Sequence, residues 1–287
     1  MFKNLKEPYL IAEIGINHNG EIDIAKRLID AAYATKWDSV KFQKRNPDVC
    51  VPESQKKIKR ITPWGEMNYI DYKHKIEFGE EEYNVINKYC SEKNMDWSAS
   101  VWDYDSLDFL INNYKEIKYL KVPSAVNCSY DFVKEVCKTG LPILLSLGMT
   151  GLKEMDKIVN TLMKHSNDFC VMHTNSSYPS PNNELNISLI PFIIERYNCI
   201  VGYSGHEQDL MPSVVSAVLG AKVIERHVTL SHEMWGTDHK SSLEVHAMDM
   251  LKKRITSSLE CLGKPEKVVF NSEKAAIKRL RNNILKK

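Results

Sequence analysis

Short apolar runs alternate with amphipathic stretches along most of the 287-residue chain. The runs have strand length, whereas the stretches between them carry apolar residues at the three- and four-residue spacing of helices that pack on one face. The predicted strands are YLIAEIG, SVKFQ, DWSAS, YLKVP, PILLSLG, FCVMHT, CIVGYS and KVIERHVT, and four of the predicted helices are IAKRLIDAAYATK, SYDFVKEVCKT, LKEMDKIVNTLMK and MPSVVSAVLGA. Eight βα units in about 250 residues predict an α/β fold, the closed (β/α)8 TIM barrel. An open doubly wound sheet is disfavoured, because EIGINHNGE is not the Gly-rich first turn of that fold.

One connection is much longer than the others. Residues 44–78 separate the second predicted strand from its helix, and loops of that length are usually functional or disordered. Aromatic side chains within the loop favour an ordered lid, and these are Trp64, Tyr69, Tyr72 and Phe78. We therefore predict a catalytic barrel domain at 1–263 that carries this lid, followed by a basic helical extension at 264–287.

Composition excludes several classes of partner. The chain is 43% hydrophobic and 26% charged with a net charge of +2, which predicts no binding to nucleic acid or to an anionic membrane. No apolar run approaches the roughly 20 residues of a membrane span, and the amino terminus does not resemble a signal peptide. Seven scattered cysteines without a C-x-x-C pair indicate reduced thiols. These features predict a soluble, cytoplasmic protein, and apolar outer helix faces would suit a homodimer or a higher homo-oligomer.

Every predicted strand ends in at least one polar residue. A strand buried on both faces should stay apolar to its end, because burying an unpaired charge is costly. In a barrel, the carboxyl ends of the strands hold the active site. The polar residues at these ends are Glu13, Lys41, Gln43, Ser100, Lys121, Ser124, Ser146, His173, Ser176, Tyr178, Ser204, His206, Glu225 and His227. Their alignment at all eight strand ends predicts a functional site.

The two lysines at these ends predict an anion site. Lys41 and Lys121 on different strands would form a cationic patch in the barrel mouth, suited to a phosphate or a carboxylate. The hydroxyl groups that would complete it belong to Ser100, Ser124, Ser146 and Ser204. Two alternatives remain open: each lysine could pair with a glutamate such as Glu13 or Glu225 and simply close the barrel, or one could form a Schiff base as in one class of aldolase.

Two histidines predict a metal site. His206 and His227 would lie on adjacent strands about 4.8 Å apart, so that both imidazoles could hold one ion. Because no cysteine accompanies them, the site would suit Mn²⁺, Fe²⁺, Co²⁺ or Zn²⁺ with positions open to water or substrate. The alternative is a pair of hydrogen-bonded core histidines. Five other histidines are predicted to lie in loops or on helix surfaces and to have no role in the site: His18, His74, His165, His232 and His246.

Two carboxylates are candidates for the same region. Glu13 ends the first strand, which adjoins the eighth in a closed barrel, so Glu13 should lie near the proposed metal. It could bind substrate hydroxyls, act as an acid or base, or pair with Arg226 or a lysine. Asp238 follows the eighth strand in WGTDHKSS, where it could instead cap the next helix.

With these residues in place, the chain resembles the sialic acid synthase family, whose barrels condense phosphoenolpyruvate with an N-acylated hexosamine. Seven segments carry the resemblance in order along nearly the whole chain. They are AEIGINHNG, VKFQ, KVPSA, LSLGMT, MHTNSSYPSP, GYSGHEQD and IERHVTL…GTDHKSS. The resemblance implies a synthase of a 3-deoxy-2-keto sugar acid, with N-acetylmannosamine or a related N-acyl hexosamine as the acceptor.

The resemblance also implies roles for matching residues. Phosphoenolpyruvate would be held by Lys41, Ser100, Lys121, Ser124, Ser146, Ser176, Tyr178 and Ser204, with Gln43 beside them. A divalent metal, usually manganese, would be held by His206 and His227. Glu13 and Asp238 would contact the acceptor sugar. The residues expected to act in catalysis are Glu13, Lys41, Lys121 and His227.

Several features depart from the family pattern. Val126 stands where many members have a glutamate for the N-acyl sugar, Ser176 replaces an asparagine, and Leu147 replaces a threonine. Full-length members also continue into an antifreeze-like domain that supplies an arginine over a partner's active site, and we predict none here. In that case the lid or another protein would replace this domain over the active site, or the acceptor would be one that does not need the arginine. Three alternative functions stay open: the same chemistry on another aldose or a sugar phosphate, a Schiff-base aldolase, and a non-catalytic anion-binding barrel.

Overall fold

The computed structural model describes residues 1–281 of the chain. Eight parallel strands close into a barrel, which confirms the predicted (β/α)8 fold, and two short antiparallel strands form a separate hairpin. The strands are β1 (Tyr9–Gly15), β2 (Ser39–Lys44), β3 (Lys59–Thr62), β4 (Gly65–Asn68), β5 (Asp96–Val101), β6 (Leu120–Val122), β7 (Ile143–Ser146), β8 (Phe169–Thr174), β9 (Ile200–Gly205) and β10 (Val223–His227). The helices are α1 (Ile22–Ala34), α2 (Pro47–Cys50), α3 (Glu53–Lys56), α4 (Tyr69–Ile76), α5 (Glu80–Glu92), α6 (Tyr104–Asn113), α7 (Tyr130–Lys138), α8 (Leu152–His165), α9 (Leu189–Tyr197), α10 (Met211–Val218), α11 (Val245–Leu262) and α12 (Asn271–Leu280).

Alternate residues of each barrel strand face the interior, as the period-2 geometry of a strand requires. On β1, Tyr9 and Ile11 pack inside the barrel, whereas Leu10 and Ala12 pack against the surrounding helices. The lower interior is mostly apolar, apart from hydroxyls such as those of Ser39 and Tyr119, which lie 3.0 Å apart, and it is completed by Phe2, which enters from the amino-terminal end and is fully buried. The charged interior residues lie in the upper layer, at the carboxyl ends of the strands.

The same alternation explains Arg226, which lies between the inward residues Glu225 and His227 and points out of the barrel. Its guanidinium is completely buried, forms an ion pair with Glu207 at 3.0 Å and donates a hydrogen bond to Ser213 Oγ at 3.0 Å. Arg226 therefore pairs with Glu207 on the helix-facing side and not with Glu13, one of the partners considered from the sequence. Its role is structural, because it faces away from the cavity of the barrel.

Replacing Arg226 by methionine should lower the free energy of unfolding by about 3–5 kcal/mol, because Glu207 would remain buried without its partner. Turnover per folded molecule should stay near that of the unchanged protein. Urea unfolding and initial rates at low temperature measure the two effects. The double variant Arg226→Met/Glu207→Gln should regain part of the lost stability. A single variant within 1 kcal/mol of the parent would contradict this assignment.

The long connection at 44–78 is folded, as the aromatic residues predicted. It contains α2, α3, the β3–β4 hairpin and α4. Tyr72 and Ile76 of α4 pack on Ile16 of the β1–α1 loop, and the Tyr72 ring lies 5.2 Å from that of Trp235 in the loop after β10. The lid therefore contacts the loops that follow the first and the last barrel strands, directly above their junction.

The β1–α1 loop is clamped against the end of the lid. His18 lies in this loop but is 2% exposed, and its ring stacks on Phe78 with a centroid distance of 3.8 Å. Burial lowers the pKa of His18 to about 3, so the ring is neutral at physiological pH. Gly20 has a φ of +77°, and a Cβ there would lie 2.6 Å from the Lys75 carbonyl oxygen, so glycine permits this close approach.

The carboxyl-terminal segment leaves the barrel after α11. Residues 264–281 include α12, and the last part of the predicted extension at 264–287, residues 282–287, lies outside the described residues. Within 1–281, none of the helices combines the length and the apolar composition needed to cross a bilayer.

Candidate active site

A cavity of about 180 Å³ opens at the carboxyl end of the barrel. Of the residues that the sequence placed at this site, all except His173 and Asp238 line the cavity. The lining residues are Glu13, Lys41, Gln43, Ser100, Trp102, Lys121, Pro123, Ser124, Ala125, Ser146, Met149, Ser176, Tyr178, Ser204, His206, Glu225 and His227. Closure of the barrel thus brings side chains from all eight strand ends to one cavity, as expected if they form one site.

Lys41 and Lys121 form a buried network with two carboxylates. The Lys41 ammonium lies 2.5 Å from Glu13 Oε2 and 3.7 Å from Glu225 Oε2, and it donates to Ser100 Oγ at 2.8 Å. The Lys121 ammonium donates to both oxygens of Glu225 at 3.0 and 3.1 Å. The lysines therefore do pair with glutamates, as one alternative held, but their side chains also line the cavity.

The protonation of this network follows from burial and charge. Burial lowers the pKa of Lys121, and the Glu225 carboxylate opposes that shift. Burial by itself would raise the pKa of Glu225, but the ammonium groups of Lys121 and Lys41 hold it below its usual value. An ammonium has three N–H donors, so each lysine retains donor capacity toward a ligand in the cavity.

Serine hydroxyls form a cradle beside the lysines. A Cβ at Gly148 would lie 2.3 Å from Ser176 Oγ and 2.6 Å from Ser124 Oγ, so glycine lets both hydroxyls approach the backbone. Asn127 shapes the same loop by donating its side-chain amide to the carbonyl oxygens of Ser146 at 2.9 Å and Gly148 at 3.1 Å. The hydroxyls of Ser124 and Ser176 can donate hydrogen bonds to an oxyanion beside them.

His206 and His227 lie side by side on neighbouring strands, with ring centroids 5.4 Å apart. His206 Nδ1–H donates to the Asn175 carbonyl at 2.6 Å, so its Nε2 carries a lone pair, which accepts a hydrogen bond from the Tyr178 hydroxyl at 2.9 Å. A backbone carbonyl that orients the far nitrogen is typical of metal-binding histidines. His227 Nδ1 is buried and has no hydrogen-bond partner among the described residues.

These two imidazoles fit a divalent ion with an open coordination sphere. His227 Nδ1 leaves one donor without a partner, and His206 Nε2 offers a second within the same cavity wall. In the described part of the chain, no three His, Cys, Asp or Glu side chains converge closely enough to hold an ion alone. Water or substrate oxygens would therefore complete the coordination, as in a catalytic site.

Glu13 and Asp238 lie on either side of His227. Closure of the barrel pairs Glu13 with His227 across β1 and β10, and Gln43 donates to Glu13 Oε1 at 3.0 Å. Asp238 Oδ2 lies 3.9 Å from His227 Nδ1, and its side chain makes no capping hydrogen bond to the next helix. Burial opposes ionisation of Asp238, but its electrostatic interaction with His227 and the hydrogen bond from Thr237, followed by the charges of Lys73 and Arg45, lower its pKa overall.

Four lining residues were not predicted, namely Trp102, Pro123, Ala125 and Met149. Glu225 was included among the polar strand ends but was given a role only as a lysine partner, although it lies on β10 between the inward residues Val223 and His227. Trp102 and Met149 lie in loops just beyond β5 and β7, where no local pattern indicates the side-chain direction. Asn127 acts through backbone carbonyls and had no signal in the sequence.

Comparisons with known proteins agree with this geometry. A profile described as the NeuB family matches residues 28–267. The N-acetylneuraminate-9-phosphate synthase of Drosophila melanogaster is 33% identical over 253 residues, covering 87% of this chain and 67% of that protein. The N,N'-diacetyllegionaminic acid synthase of Campylobacter jejuni is 30% identical over 288 residues, covering 99% and 86%.

A solved structure gives the same result at the level of the fold. The N-acetylneuraminic acid (sialic acid) synthetase of Leptospira borgpetersenii serovar Hardjo-bovis, in complex with citrate, superposes with a TM-score of 0.84 at 26% identity. The alignment covers 96% of this chain and 93% of that one. The chain therefore belongs to the NeuB family of sialic acid synthases and is an enzyme of that phosphoenolpyruvate-dependent, carbon–carbon bond-forming transferase class.

Proposed function

We propose that this enzyme condenses phosphoenolpyruvate with an N-acyl hexosamine, such as N-acetylmannosamine, to give a nonulosonic acid and phosphate. One observation carries the proposal: Lys41, Lys121, His206 and His227 all line a single cavity. Two cations suit a phosphorylated, carboxylated substrate, and two imidazoles suit an ion that acts on an aldehyde. The acceptor is open-chain, because only the aldehyde form offers an electrophilic carbon.

Phosphoenolpyruvate would bind across the lysine network and the serine cradle. Lys41 and Lys121 would contact its phosphate and carboxylate, and the hydroxyls of Ser124 and Ser176 beside Gly148 would donate further hydrogen bonds. Ser100 and Ser204 already bond to Lys41 and Glu225 and would hold these groups in place. The remaining predicted contacts come from the cavity residues Gln43, Ser146 and Tyr178.

His206 and His227 would hold a divalent metal, and Mn²⁺ is our specific proposal. The chemistry that such an ion supplies when bound is Lewis-acid polarisation of the aldehyde oxygen. The Asn175 carbonyl accepts a hydrogen bond from His206 Nδ1 and so orients the His206 ring. Asp238 Oδ2, 3.9 Å from His227 Nδ1, is near the second ring but too far to bond to it. Glu13, next to His227, would accept a hydrogen bond from an acceptor hydroxyl.

The proposed reaction forms one carbon–carbon bond and breaks one carbon–oxygen bond. C3 of phosphoenolpyruvate attacks the aldehyde carbon, and water adds at C2. Phosphate then leaves with the electrons of the C2–O bond, which leaves a ketone at C2. Of the two protons of water, one ends on the former aldehyde oxygen and the other on the released phosphate. The buried lysines stabilise the phosphate while it is bound.

The identity of the acceptor depends on the upper part of the cavity. Val126 stands where the family resemblance implies a glutamate for the N-acyl sugar, and it does not line the cavity, so that contact would be lost here. A panel of aldoses with phosphoenolpyruvate, with and without Mn²⁺ or a chelator, tests the function through phosphate release and product mass. Release that requires an aldose and Mn²⁺, with a product heavier than the acceptor by one pyruvate unit, is the expected result.

The same panel distinguishes the alternatives. A Schiff-base aldolase would be inactivated by borohydride in the presence of pyruvate and would gain the mass of the reduced adduct on Lys41 or Lys121. A non-catalytic anion-binding barrel would bind phosphoenolpyruvate but would consume none with any aldose. Either result would contradict the condensation proposed here.

We also propose that the enzyme works in the cytoplasm as a homodimer or a higher homo-oligomer. All seven cysteines are free thiols, which suits a reducing compartment. Apolar residues that follow α11 are exposed, with Phe270 64% and Val269 56% accessible, and a second copy could cover them. Light scattering of the purified protein would reveal a monomer if this part of the proposal is wrong.

A further inference from the structure

Arg45 lies just beyond β2, at the point where the chain leaves the barrel and enters the lid. Because strand residues alternate, Arg45 continues the inward row of Lys41 and Gln43, and it is only 8% exposed. Its guanidinium lies 4.5 Å over the ring of Trp102, which lines the cavity. Arg45 itself does not line the cavity, so it can act on a bound substrate only through a neighbouring side chain.

Gln43 is that neighbour, and its amide joins Arg45 to Glu13. Arg45 Nη2 donates a hydrogen bond to Gln43 Oε1, and Gln43 Nε2 donates to Glu13 Oε1 at 3.0 Å. A guanidinium has donors only and an ionised carboxylate has acceptors only, so the amide satisfies both neighbours in one orientation alone. Arg45 therefore fixes which end of the Gln43 amide faces Glu13.

The contact between Gln43 and Glu13 requires a glycine at position 15. Gly15 has a φ of +56°, and a Cβ there would lie 3.1 Å from Gln43 Nε2 and 3.2 Å from Glu13 Oε1. Both distances are shorter than a relaxed van der Waals contact, so a side chain at this position would push the amide and the carboxylate apart. The close approach of these two groups is thus built into the end of β1.

The lid holds Arg45 from the other side. Glu77, which follows α4, accepts a hydrogen bond from the backbone N–H of Arg45 at 3.0 Å, and its Oε2 lies 3.8 Å from Arg45 Nε. Lys44 Nζ donates to the same carboxylate at 2.9 Å. A continuous series of polar contacts therefore runs from the lid through Arg45 and Gln43 to the Glu13 carboxylate.

Glu13 is held at both of its oxygens. The Lys41 ammonium lies 2.5 Å from Oε2, while the Gln43 amide bonds to Oε1. With one contact on each oxygen the carboxylate has a fixed direction, and each oxygen keeps a lone pair for a substrate hydroxyl. A small displacement of a group that positions a substrate can cost much of the binding and the rate.

We propose that Arg45 is a positioning residue for the acceptor: it fixes the Gln43 amide, which in turn directs Glu13 toward an acceptor hydroxyl. This proposal rests on the proposed function, in which Glu13 contacts the acceptor. Arg45 lies outside the segments that carry the family resemblance, since VKFQ ends at Gln43. The lid thereby contributes to the acceptor site without contacting the acceptor at this point.

Steady-state kinetics with N-acetylmannosamine test this proposal. Arg45→Met should raise the KM for the acceptor about 10-fold and change kcat by less than about threefold, because the contact group is displaced while the lysine network is intact. Binding of phosphoenolpyruvate should stay within about twofold of the parent for the same reason. Arg45→Lys keeps a donor toward Gln43 Oε1 and should recover part of the lost acceptor affinity.

A double-mutant cycle shows whether the effect passes through Gln43. In a Gln43→Ala background, Arg45→Met should cause no further rise in the KM for the acceptor, because the side chain that transmits the contact is already absent. If the effects of the two substitutions multiply, Arg45 acts independently of Gln43 and the proposal is wrong. An unchanged KM in the single variant Arg45→Met would overturn it as well.

Lys44→Met is the matched control for Arg45→Met. Lys44 is the preceding residue, its side chain is 13% exposed, and it also pairs with Glu77. It points out of the barrel, however, because Nζ donates to the Phe78 carbonyl at 2.9 Å and lies 5.0 Å from the Phe109 ring centroid. Lys44→Met should lower the free energy of unfolding and leave the KM for the acceptor unchanged. An equal rise in KM in both variants would show a general effect of the fold and overturn the proposal.

Urea unfolding of the four proteins of the cycle tests the contact without any substrate. The losses in the free energy of unfolding should be non-additive, because Arg45 and Gln43 share one hydrogen bond. Additive losses would overturn the proposal even if the kinetics agreed with it. Absence of turnover in the parent with every aldose would instead count against the proposed function, and the unfolding cycle would still decide whether Arg45 holds the Gln43 amide.

Discussion

His227→Ala should lower the rate of condensation by about 100- to 1,000-fold while phosphoenolpyruvate binding stays within a few-fold of the parent. His227 Nδ1 is buried without a hydrogen-bond partner in the described residues, and His206 alone leaves an ion with a single protein nitrogen. The lysines and the serine cradle are untouched by the substitution. Initial rates, Mn²⁺ binding by calorimetry and phosphoenolpyruvate binding by fluorescence measure the three effects separately.

His173→Ala provides the matched control for this substitution. Its ring is also nearly buried at a strand end, but Nε2 bonds to the Leu185 carbonyl at 2.7 Å on the outer side of the barrel. We expect His173→Ala to lower the free energy of unfolding and to leave the affinity for Mn²⁺ unchanged. Unchanged turnover in His227→Ala would remove the metal role, and a parallel loss of phosphoenolpyruvate affinity would indicate a general disruption of the cavity.

Lys121→Met should abolish detectable binding of phosphoenolpyruvate and also destabilise the fold. Lys121 and Glu225 are both buried, and removal of one partner leaves the Glu225 carboxylate with Lys41 at 3.7 Å as its remaining counter-charge. We expect a loss of about 3 kcal/mol in the free energy of unfolding, the lower end for breaking a buried pair. The affinity for phosphoenolpyruvate should fall at least about 100-fold, because a charge-assisted contact to the ligand is lost.

The double variant Lys121→Met/Glu225→Gln separates the structural role from the binding role. It removes both charges of the pair, so stability should return to within about 1 kcal/mol of the parent. Binding of phosphoenolpyruvate should stay lost, because no ammonium remains at that position. If the double variant recovers affinity together with stability, Lys121 serves only to close the barrel. Urea unfolding and direct binding titrations decide between the two.

Much of the barrel was predictable because its strands carry a local signal. FCVMHT was predicted as a strand and corresponds to β8 at Phe169–Thr174, and YLIAEIG corresponds to β1. The β3–β4 hairpin was not predicted, because KRIT and GEMN are short, polar and largely exposed. This hairpin belongs to the lid, which is held by aromatic contacts such as that between Trp64 and Trp235, 6.3 Å apart and distant in sequence.

The candidate site was predictable where residues lie at strand ends, because the strand alternation shows which of their side chains point into the barrel. Lys41 and Lys121 were expected in the barrel mouth, and both line the cavity. Asp238 was expected as a sugar contact, but it lies near His227 without lining the cavity, so that role remains a prediction. Loop residues such as Trp102 and Met149 could not be assigned, because a loop has no periodicity that fixes where a side chain points.

By itself, the sequence determined which side chains share a face, because strand residues alternate with a period of two. It also indicated a site at the strand ends, because a charge that ends a buried apolar strand must be paired or must bind a ligand. Only the tertiary structure decided which charges meet. Closure of β1 on β10 places Glu13 beside His227, the two lysines share Glu225, and Arg226 turns outward to Glu207. The lid brings Lys73 and Arg45 toward Asp238 through contacts between segments that are more than 150 residues apart, and no local pattern carries that information.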